Sequence, residues 1–202
     1  MPHNLQLLFN THTTNRENLR RETSKKMDAP AGLLIRPELK SDYEKITALH
    51  DLAFGQKGEG RLVEALRRNP VFIRGLSLVA LLDGNLVGHI LFFPVLVRDG
   101  QKVFRSLALA PLAVLPDYQR KGIGSALVIA GIDEAREGKH RSVIVLGHRE
   151  YYPGFGFRPA IHYGILPPFD VPSDVFFAME LIPGGLAGVS GTVEYPPEFS
   201  EF

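Results

Sequence analysis

The sequence contains no cysteine and no tryptophan. Without cysteine the chain can form no disulfide, bind no metal through thiolates and use no thiol nucleophile. A reaction relayed through a thioester on the enzyme is therefore excluded. The lack of disulfides fits a reducing compartment, and we expect the protein in the cytoplasm.

Net charge is nearly absent as well. The chain has 23 Lys and Arg against 22 Asp and Glu, which gives a formal charge of +1. Proteins that bind nucleic acids or anionic membranes carry a strong basic excess, so we expect neither partner. The histidines, aspartates and glutamates show no spacing typical of metal ligands, and we predict no metal.

Long hydrophobic runs are also missing. The most apolar stretch, residues 79–97, is interrupted by Asp83, Asn85 and His89, whereas a membrane-spanning helix needs about 20 mostly apolar residues. With 45% hydrophobic residues in a chain of 202, the composition instead suits a globular domain with a sizeable core.

Composition divides the chain into three parts. Residues 1–30 are polar and have little periodicity, which predicts a flexible extension. Residues 31–182 alternate between strand and helix patterns and should form the folded domain. Residues 183–202 are rich in Gly and Pro, and we expect a tail that packs on the domain, with room for a short strand near 192–195.

Three strands joined by tight turns are predicted between residues 76 and 115. Asp83-Gly84 and Asp99-Gly100 are dipeptides typical of hairpin turns, so these strands should be antiparallel. The third strand contains Pro111, which cannot donate to a ladder and marks an edge, a bulge or a point where pairing stops. If pairing stops there, the backbone groups just beyond it are available to a ligand.

A helix and a further strand follow. The helical pattern runs from Gly122 to Glu137, and the apolar run Ser142 to Leu146 predicts a short buried strand. A strand, helix and strand in this order form a right-handed crossover with the two strands parallel. Ligands bind beyond the carboxyl ends of such strands, which places a site near Leu115 and Gly147.

The turn that opens this helix has the composition of an anion site. Gly122 and Gly124 lack a Cβ, so an anion can approach the backbone closely, and a helix start offers free N–H groups. Arg120 and Lys121 lie where acidic residues are usual, which is unfavourable unless an anion binds. These residues alone leave an anion site and a solvated basic turn equally open.

Two motifs together resemble a known family. Residues 119–124 (Q-x-x-G-x-G), between a strand and a helix, resemble the pyrophosphate loop of the GNAT superfamily, the acyl-CoA-dependent N-acyltransferases. Residues 152–157 (Y-x-x-x-G-F), after the next strand, resemble its second marker. In element order the similarity runs from about Leu33 to about Leu181. The segments LAPLAVLP and YYPGFGF look most like a bacterial-type subgroup of predicted N-acetyltransferases.

The resemblance implies a fold and a reaction. The fold would be α/β, with a mixed sheet that is mostly antiparallel, a central parallel pair splayed around the CoA site, and helices on both faces. The reaction would move an acetyl group from acetyl-CoA directly to a primary amine in a ternary complex. A non-catalytic acyl-CoA-binding sensor or partner module is the alternative.

The resemblance also implies roles for particular residues. Tyr152 would protonate the leaving CoA thiolate, for which a phenol with a pKa of about 10 is suited; packing in an aromatic turn is the alternative, and Tyr151 is expected to be oriented differently. One strand segment would pair with the pantetheine arm and the glycine-rich loop would hold the pyrophosphate. These predicted cofactor-binding residues are Leu112, Ala113, Val114, Gln119, Arg120, Lys121, Gly122, Ile123, Gly124 and Ser125.

The general base is where the sequence departs from the family pattern. Many relatives carry an acid on the strand before the pyrophosphate loop, and residues 103–115 contain none. Glu59 and Glu64 are the nearest candidates, with a surface position as the alternative for both; Glu59 would act through water or attract a cationic acceptor. His89 is expected in the core and His148 at the mouth of the site. The acceptor amine and a homodimer stay open.

Overall fold

Residues 29–200, the part that the computed structural model describes, form a mixed sheet with helices on both of its faces. The α-helices are α1 (Tyr43–Phe54), α2 (Gly58–Arg68) and α3 (Ile123–Glu137). The strands are β1 (Leu34–Pro37), β2 (Ser77–Leu82), β3 (Asn85–Asp99), β4 (Lys102–Val114), β5 (Ser142–Leu146), β6 (Arg158–Pro159), β7 (Ile165–Leu166), β8 (Phe176–Glu180) and β9 (Gly191–Glu194). Apart from residues 29 and 30, the predicted extension lies outside the described residues.

The main path of the sheet has the order β1-β2-β3-β4-β5-β8-β6. Along this path every neighbouring pair is antiparallel except β4 and β5, which are parallel as the crossover predicts. The first hairpin turn has left-handed backbone at Asp83 (φ 51°) and Gly84 (φ 76°), which a type I′ turn requires. The mixed sheet with a central parallel pair is therefore confirmed.

Strands β4 and β5 separate soon after they meet. Within the described chain they pair only at Leu107 with Val143 and at Ala108 with Ile144. Beyond this point β4 continues through Pro111 along β3, with a bulge in the ladder, and β5 continues along β8. Of the alternatives for Pro111, the ladder with β3 shows a bulge at this point. The pairing with β5 ends at Ala108, so the facing edges of β4 and β5 bound a gap.

The two faces of the sheet are covered by different helices. Helix α3 packs on one face, where a Cβ on Gly131 would lie 2.1 Å from the ring of Phe92, so only glycine allows this close approach. On the other face Ile46 of α1 and Val63 of α2 pack with Val79 of β2 in a buried apolar cluster. Burial of apolar surface on both faces is what holds the helices to the sheet.

A buried polar network lies between α1, α2, β2 and β3. Glu38 is fully buried and accepts hydrogen bonds from Nε and Nη2 of Arg67, at 2.8 and 2.9 Å. His89 Nδ1 lies 2.8 Å from His50 Nε2, and His89 Nε2 lies 2.9 Å from Ser77 Oγ. His89 is thus a hydrogen-bonded core residue, as predicted.

Burial controls the titration of this network. It lowers the pKa of His50 well below the ordinary value and also lowers that of His89, where the neighbouring Glu38 partly opposes the effect. For Glu38, burial alone would raise the pKa, but nearby His89, whose Nε2 lies 3.6 Å away, and the hydrogen bonds from Arg67 outweigh it and the pKa is lowered. The network therefore favours neutral histidines beside a charged carboxylate.

The segment beyond residue 182 supplies part of the sheet itself. Strand β9 pairs antiparallel with β3 at residues 96–98 and parallel with β7. The short strand expected near 192–195 is therefore present as Gly191–Glu194. Beyond β9, Phe199 packs edge-on against Phe93 of β3, with ring centroids 6.2 Å apart.

Candidate active site

The gap between β4 and β5 opens into a cavity of about 1040 Å³. One wall is formed by residues 108–112 of β4, and another by residues 146–148 together with 151 and 152. The far side is formed by the start of α2, by residues 168 and 169, and by the chain from 192 to 195 with 199 and 200. The cavity thus extends from the ends of the parallel strands to the C-terminal segment, where the strand crossover predicts a site.

Tyr152 lies in the wall of this cavity. Its ring packs under Gly147, where a Cβ would come within 2.1 Å of Tyr152 Cε2. The ring of Phe157 meets it edge-on at 5.6 Å, and the side chain is nearly buried. Burial, with a smaller effect from Tyr151, raises the pKa of Tyr152 well above its ordinary value. The phenol therefore stays protonated, although it is a weaker acid than an exposed tyrosine.

Tyr151 points toward the glycine-rich loop. Burial raises the pKa of Tyr151, and the nearby side chain of Ser125 partly opposes the rise. The Tyr151 hydroxyl would lie 3.2 Å from a Cβ on Gly124. The two tyrosine rings are nearly perpendicular, with centroids 5.1 Å apart. The different orientations expected for this pair are therefore present, and Tyr151 links the cavity to the loop.

The glycine-rich loop leads directly into α3. Arg120 (φ 60°) and Gly122 (φ 79°) have left-handed backbone, and Gly122 is the N-cap of α3. The first turn of the helix has no acidic residue, and the side chains of Arg120 and Lys121 are exposed. Ile123, in contrast, is a core residue. The loop thus presents a helix start with uncompensated positive charge, which suits an anion.

Gln119 ties the loop to the end of β4. Its Nε2 donates to the carbonyl oxygen of Val114 at 3.0 Å. Of the three strand residues expected beside the pantetheine arm, Leu112 lines the cavity, Ala113 is buried opposite His89, and Val114 lies at the strand end. The hydrogen bond from Gln119 therefore fixes the position of the loop relative to the end of β4.

Glu59 lies in the cavity wall, at the start of α2. Gln56 Nε2 donates to both of its carboxylate oxygens, at 3.0 and 3.3 Å. Glu64 does not line this cavity, and its carboxylate accepts a hydrogen bond of 2.7 Å from Thr47 Oγ1. His148 is exposed and lines the cavity mouth. Only Glu59, of the two acidic candidates, therefore faces the space where an acceptor would enter.

Sequence reasoning missed the part of the cavity lining that comes from the C-terminal segment. Tyr195 and Phe199 line the cavity beside Phe169, together with Arg98 and Glu194. The aromatic residues stand out in a segment rich in Gly and Pro, but no spacing connects them with the motifs. Their position depends on the pairing of β9 with β3, which brings residues about 100 positions apart in sequence side by side.

Two further features of the described residues bear on the site. Across residues 29–200, His, Asp and Glu nowhere gather in a group of three or more that could hold a metal ion. No helix in the same range is long and apolar enough to cross a membrane.

The sequence matches the model of a known protein family. The model of the acetyltransferase (GNAT) domain matches residues 35–160. The chain belongs to the GNAT acetyltransferase family. The motif resemblance is thereby confirmed, as is the assignment of the protein as an N-acetyltransferase.

Two relatives in Escherichia coli K12 support the same assignment. The chain is 34% identical to the uncharacterized N-acetyltransferase YhbS over 171 residues, which cover 84% of this chain and 100% of YhbS. It is 38% identical to the uncharacterized N-acetyltransferase YjhQ over 136 residues, which cover 67% of this chain and 75% of YjhQ.

Solved structures agree with the fold. The crystal structure of YhbS from Escherichia coli in complex with CoA has a TM-score of 0.78 and 32% identity, covering 87% of this chain and 96% of that one. A GNAT family acetyltransferase from Brucella melitensis in complex with acetyl-CoA has a TM-score of 0.66 and 30% identity, covering 83% and 97%. Both relatives span nearly their full length in the comparison.

Proposed function

We propose that this N-acetyltransferase binds acetyl-CoA between β4 and β5 and transfers the acetyl group directly to a primary amine. The observation that carries the proposal is the early separation of these two strands, with Tyr152 in the wall of the resulting cavity. Relatives crystallised with CoA and with acetyl-CoA support the choice of cosubstrate. The absence of cysteine leaves direct transfer as the route that needs no enzyme thioester.

The cofactor would be held mainly by the backbone. Past Ala108 the edge of β4 turned toward β5 is not paired with it, so Leu112, Ala113 and Val114 can pair with the amide groups of the pantetheine arm as an added strand would. The N–H groups from Arg120 to Ser125 would bind the pyrophosphate at the positive end of α3. Together these contacts would bring the thioester beside Tyr152.

Tyr152 would act as the general acid. When the amine attacks the thioester carbonyl, the carbon–sulfur bond breaks and the CoA sulfur leaves as a thiolate, which needs a proton. A buried phenol that stays protonated across the neutral range can supply it from a fixed position, because Gly147 and Phe157 hold the ring. The proton returns to Tyr152 from solvent or from the acetylated amine after each turnover.

Glu59 would receive the acceptor. A primary amine resembling a lysine side chain has a pKa near 10 and arrives as an ammonium ion at neutral pH. The carboxylate, oriented by Gln56, can bind this cation and accept its proton through a water molecule before the attack. The acceptor itself, a homodimer and a cytoplasmic location stay predictions.

The test separates catalysis from cofactor binding. Acetyl-CoA affinity is measured by calorimetry, and release of free CoA thiol is measured over a panel of primary amines. We expect micromolar binding and turnover of at least one amine. Binding without turnover would instead favour the acyl-CoA-binding module, and no binding would contradict both.

Tyr152→Phe examines the general acid directly. We expect it to lower kcat by roughly 100-fold, the lower range for a positioned general acid, with acetyl-CoA affinity nearly unchanged. Tyr163→Phe is the matched control, since this half-buried tyrosine lies outside the cavity. Unchanged turnover in Tyr152→Phe would remove this residue from the mechanism.

A further inference from the structure

The far end of the cavity is a wall of interlocked aromatic rings. Phe169 stacks on Tyr195, with centroids 6.1 Å apart and planes at 24°. Tyr195 contacts Phe199 at 5.1 Å, and Phe199 packs in turn on Phe93 in β3. At the other end Phe169 meets Phe176 of β8 edge-on at 6.5 Å. The three cavity-lining rings are therefore braced against the sheet at both ends.

This bracing matters for ligand binding. Rings that are already held in place lose little conformational freedom when a ligand packs on them, so more of the contact free energy appears as affinity. Phe54 and Leu62 also line this end of the cavity. The surface offered to an acceptor is thus apolar, largely aromatic and preformed.

The charges of the side chains at the aromatic end of the cavity nearly cancel, except for that of one carboxylate. Arg98 Nε and Glu194 Oε1 lie 2.5 Å apart and neutralise each other. Glu59 has its hydrogen bonds from the uncharged Gln56, so its negative charge is not balanced by that partner. His148 belongs to the other wall of the cavity, with residues 146, 147, 151 and 152. The charge pattern favours a ligand with a single positive charge.

We infer that the acceptor is a primary amine carried on an aromatic or bulky apolar group, with its ammonium at Glu59 and its body on the Phe169–Tyr195–Phe199 wall. The inference rests on the proposed acetyl transfer and names its substrate class. It disfavours polyamines, whose second charge would lie on the apolar wall. It also disfavours amino acids, whose carboxylate would lie near Glu59.

The experiment compares amines that differ in one feature. Thiol release is measured at saturating acetyl-CoA with 2-phenylethylamine, ethylamine, spermidine and phenylalanine. Burial of a phenyl ring should raise kcat/KM for 2-phenylethylamine over ethylamine by roughly 10- to 100-fold, with spermidine and phenylalanine well below 2-phenylethylamine. Equal values for 2-phenylethylamine and ethylamine, or a preference for spermidine, would overturn the inference.

Variants of the aromatic wall test whether it causes the preference for 2-phenylethylamine over ethylamine. Phe169→Ala and Tyr195→Ala should reduce the advantage of 2-phenylethylamine over ethylamine to a few-fold while acetyl-CoA affinity stays unchanged. Tyr195→Phe keeps the ring and should restore the preference lost in Tyr195→Ala. A preference that survives both alanine variants would place the aromatic group elsewhere and contradict the inference.

Equilibrium binding distinguishes the two proposals. Binding of 2-phenylethylamine and of ethylamine to the CoA-loaded protein is measured by calorimetry, which needs no turnover. Selective binding of 2-phenylethylamine without thiol release would support the acceptor class and contradict the proposed catalysis. Thiol release from amines without such selectivity would support catalysis and contradict the acceptor class.

Discussion

The two ends of the cavity are built in different ways. The end proposed for acetyl-CoA, the cofactor end, comes from one continuous stretch, from Ala108 in β4 to Tyr152 after β5, which contains a strand, a loop, a helix and a strand. The end proposed for the amine, the acceptor end, is assembled from the α1–α2 junction, the end of β3, the loop at residue 169 and the C-terminal segment. The first end lies within 45 residues of sequence, and the second draws on segments scattered over most of the domain.

This difference follows from what each end has to recognise. A pyrophosphate and an amide-bearing arm can be bound by backbone groups, provided that a helix starts and a strand edge is left unpaired at the right place. Glycine and proline at fixed spacing are enough to arrange this. An acceptor is recognised by side chains, and many combinations of residues can build an apolar wall, so no motif marks it.

The acceptor end also depends on support from the core. Phe54 lines the cavity and stacks on His50, with ring centroids 6.0 Å apart and planes at 6°. His50 is the end of the buried network that includes His89, Glu38 and Arg67. Four predictions test the contrast between the cofactor end and the acceptor end with its support in the core, from the largest expected effect to the smallest.

Glu38→Gln should have the largest effect, because it leaves the guanidinium of Arg67 buried without a charged partner. The side chains of Arg67 and Glu38 are 6% and 0% exposed in this pair. Removing one partner of a buried ion pair costs roughly 3–5 kcal/mol, which urea unfolding at pH 7.5 would detect. Glu194→Gln is the control, since its pair with Arg98 is exposed. Equal losses in both variants would show that burial of the pair is unimportant.

Gly147→Val should disable the cofactor end without removing any polar group. The new Cβ would lie 2.1 Å from Tyr152 Cε2, so the ring must move away from its position. We expect kcat to fall by roughly 100-fold, as for loss of the general acid itself, in a protein that still gives a folded circular dichroism spectrum. Gly154→Val lies in the same turn with nothing within 4 Å of its Cβ and should keep most activity. Similar activity in the two variants would contradict the positioning of Tyr152.

Gly124→Val should weaken cofactor binding. A Cβ here would lie 3.2 Å from the Tyr151 hydroxyl and 3.7 Å from Val114 Cγ2, and the two added methyl groups would enter the space proposed for the pyrophosphate. Calorimetry should show acetyl-CoA affinity at least roughly tenfold lower, which corresponds to about 1.4 kcal/mol. Gly75→Val is the matched control and should keep normal affinity, because nothing lies within 4 Å of a Cβ at this position. Normal affinity in a folded Gly124→Val protein would contradict the phosphate-loop assignment.

Lowering the pH should destabilise the fold through the buried histidines. Their pKa is lowered, so below the ordinary value of 6.5 the unfolded chain binds protons that the folded chain does not. Stability is therefore fully present above about pH 7 and is lost as pH falls, by up to about 1.4 kcal/mol per pH unit for each histidine. Glu38, whose pKa is also lowered, adds a loss at more acidic pH in the same direction.

Urea unfolding at pH 7.5, 6.5 and 5.5 measures this dependence. His50→Leu removes one of the two titrating groups and should show a shallower decline between pH 6.5 and 5.5 than the unsubstituted protein. His162→Gln changes an exposed histidine and should leave the decline as it is. A stability independent of pH over this range would show that both histidines titrate as they do in the unfolded chain.

The sequence predicts the cofactor end well. Pro111 indicates where β4 leaves β5, and the observed pairing stops three residues before it. Gly122 and Gly124 indicate the start of α3, which begins at Ile123. The role of Tyr152 stays a prediction, but its place in the cavity wall agrees with it. Each of these residues acts through local backbone geometry, which is why a single sequence is enough to interpret them.

Other features depend on partners far away in the chain. Tyr195 belongs to no motif, and it reaches the cavity because β9 enters the sheet beside β3 and β7. Glu59 and Glu64 are equivalent as sequence candidates, and packing alone turns Glu59 to the cavity and Glu64 to Thr47. The Tyr151 hydroxyl reaches the loop beside Gly124, a contact that no spacing rule predicts.

By itself the sequence determined most of the succession of strands and helices, the hairpin turns, the irregularity at Pro111 and the glycine-rich loop before α3, because these follow from backbone conformations that Gly, Pro and apolar periodicity select locally. The tertiary structure alone decided which side chains meet at the acceptor end, which glutamate faces the cavity, and which histidines are buried as neutral groups. Those outcomes are set by long-range strand pairing and by burial, both of which depend on residues that are distant in the chain and become neighbours only when it folds.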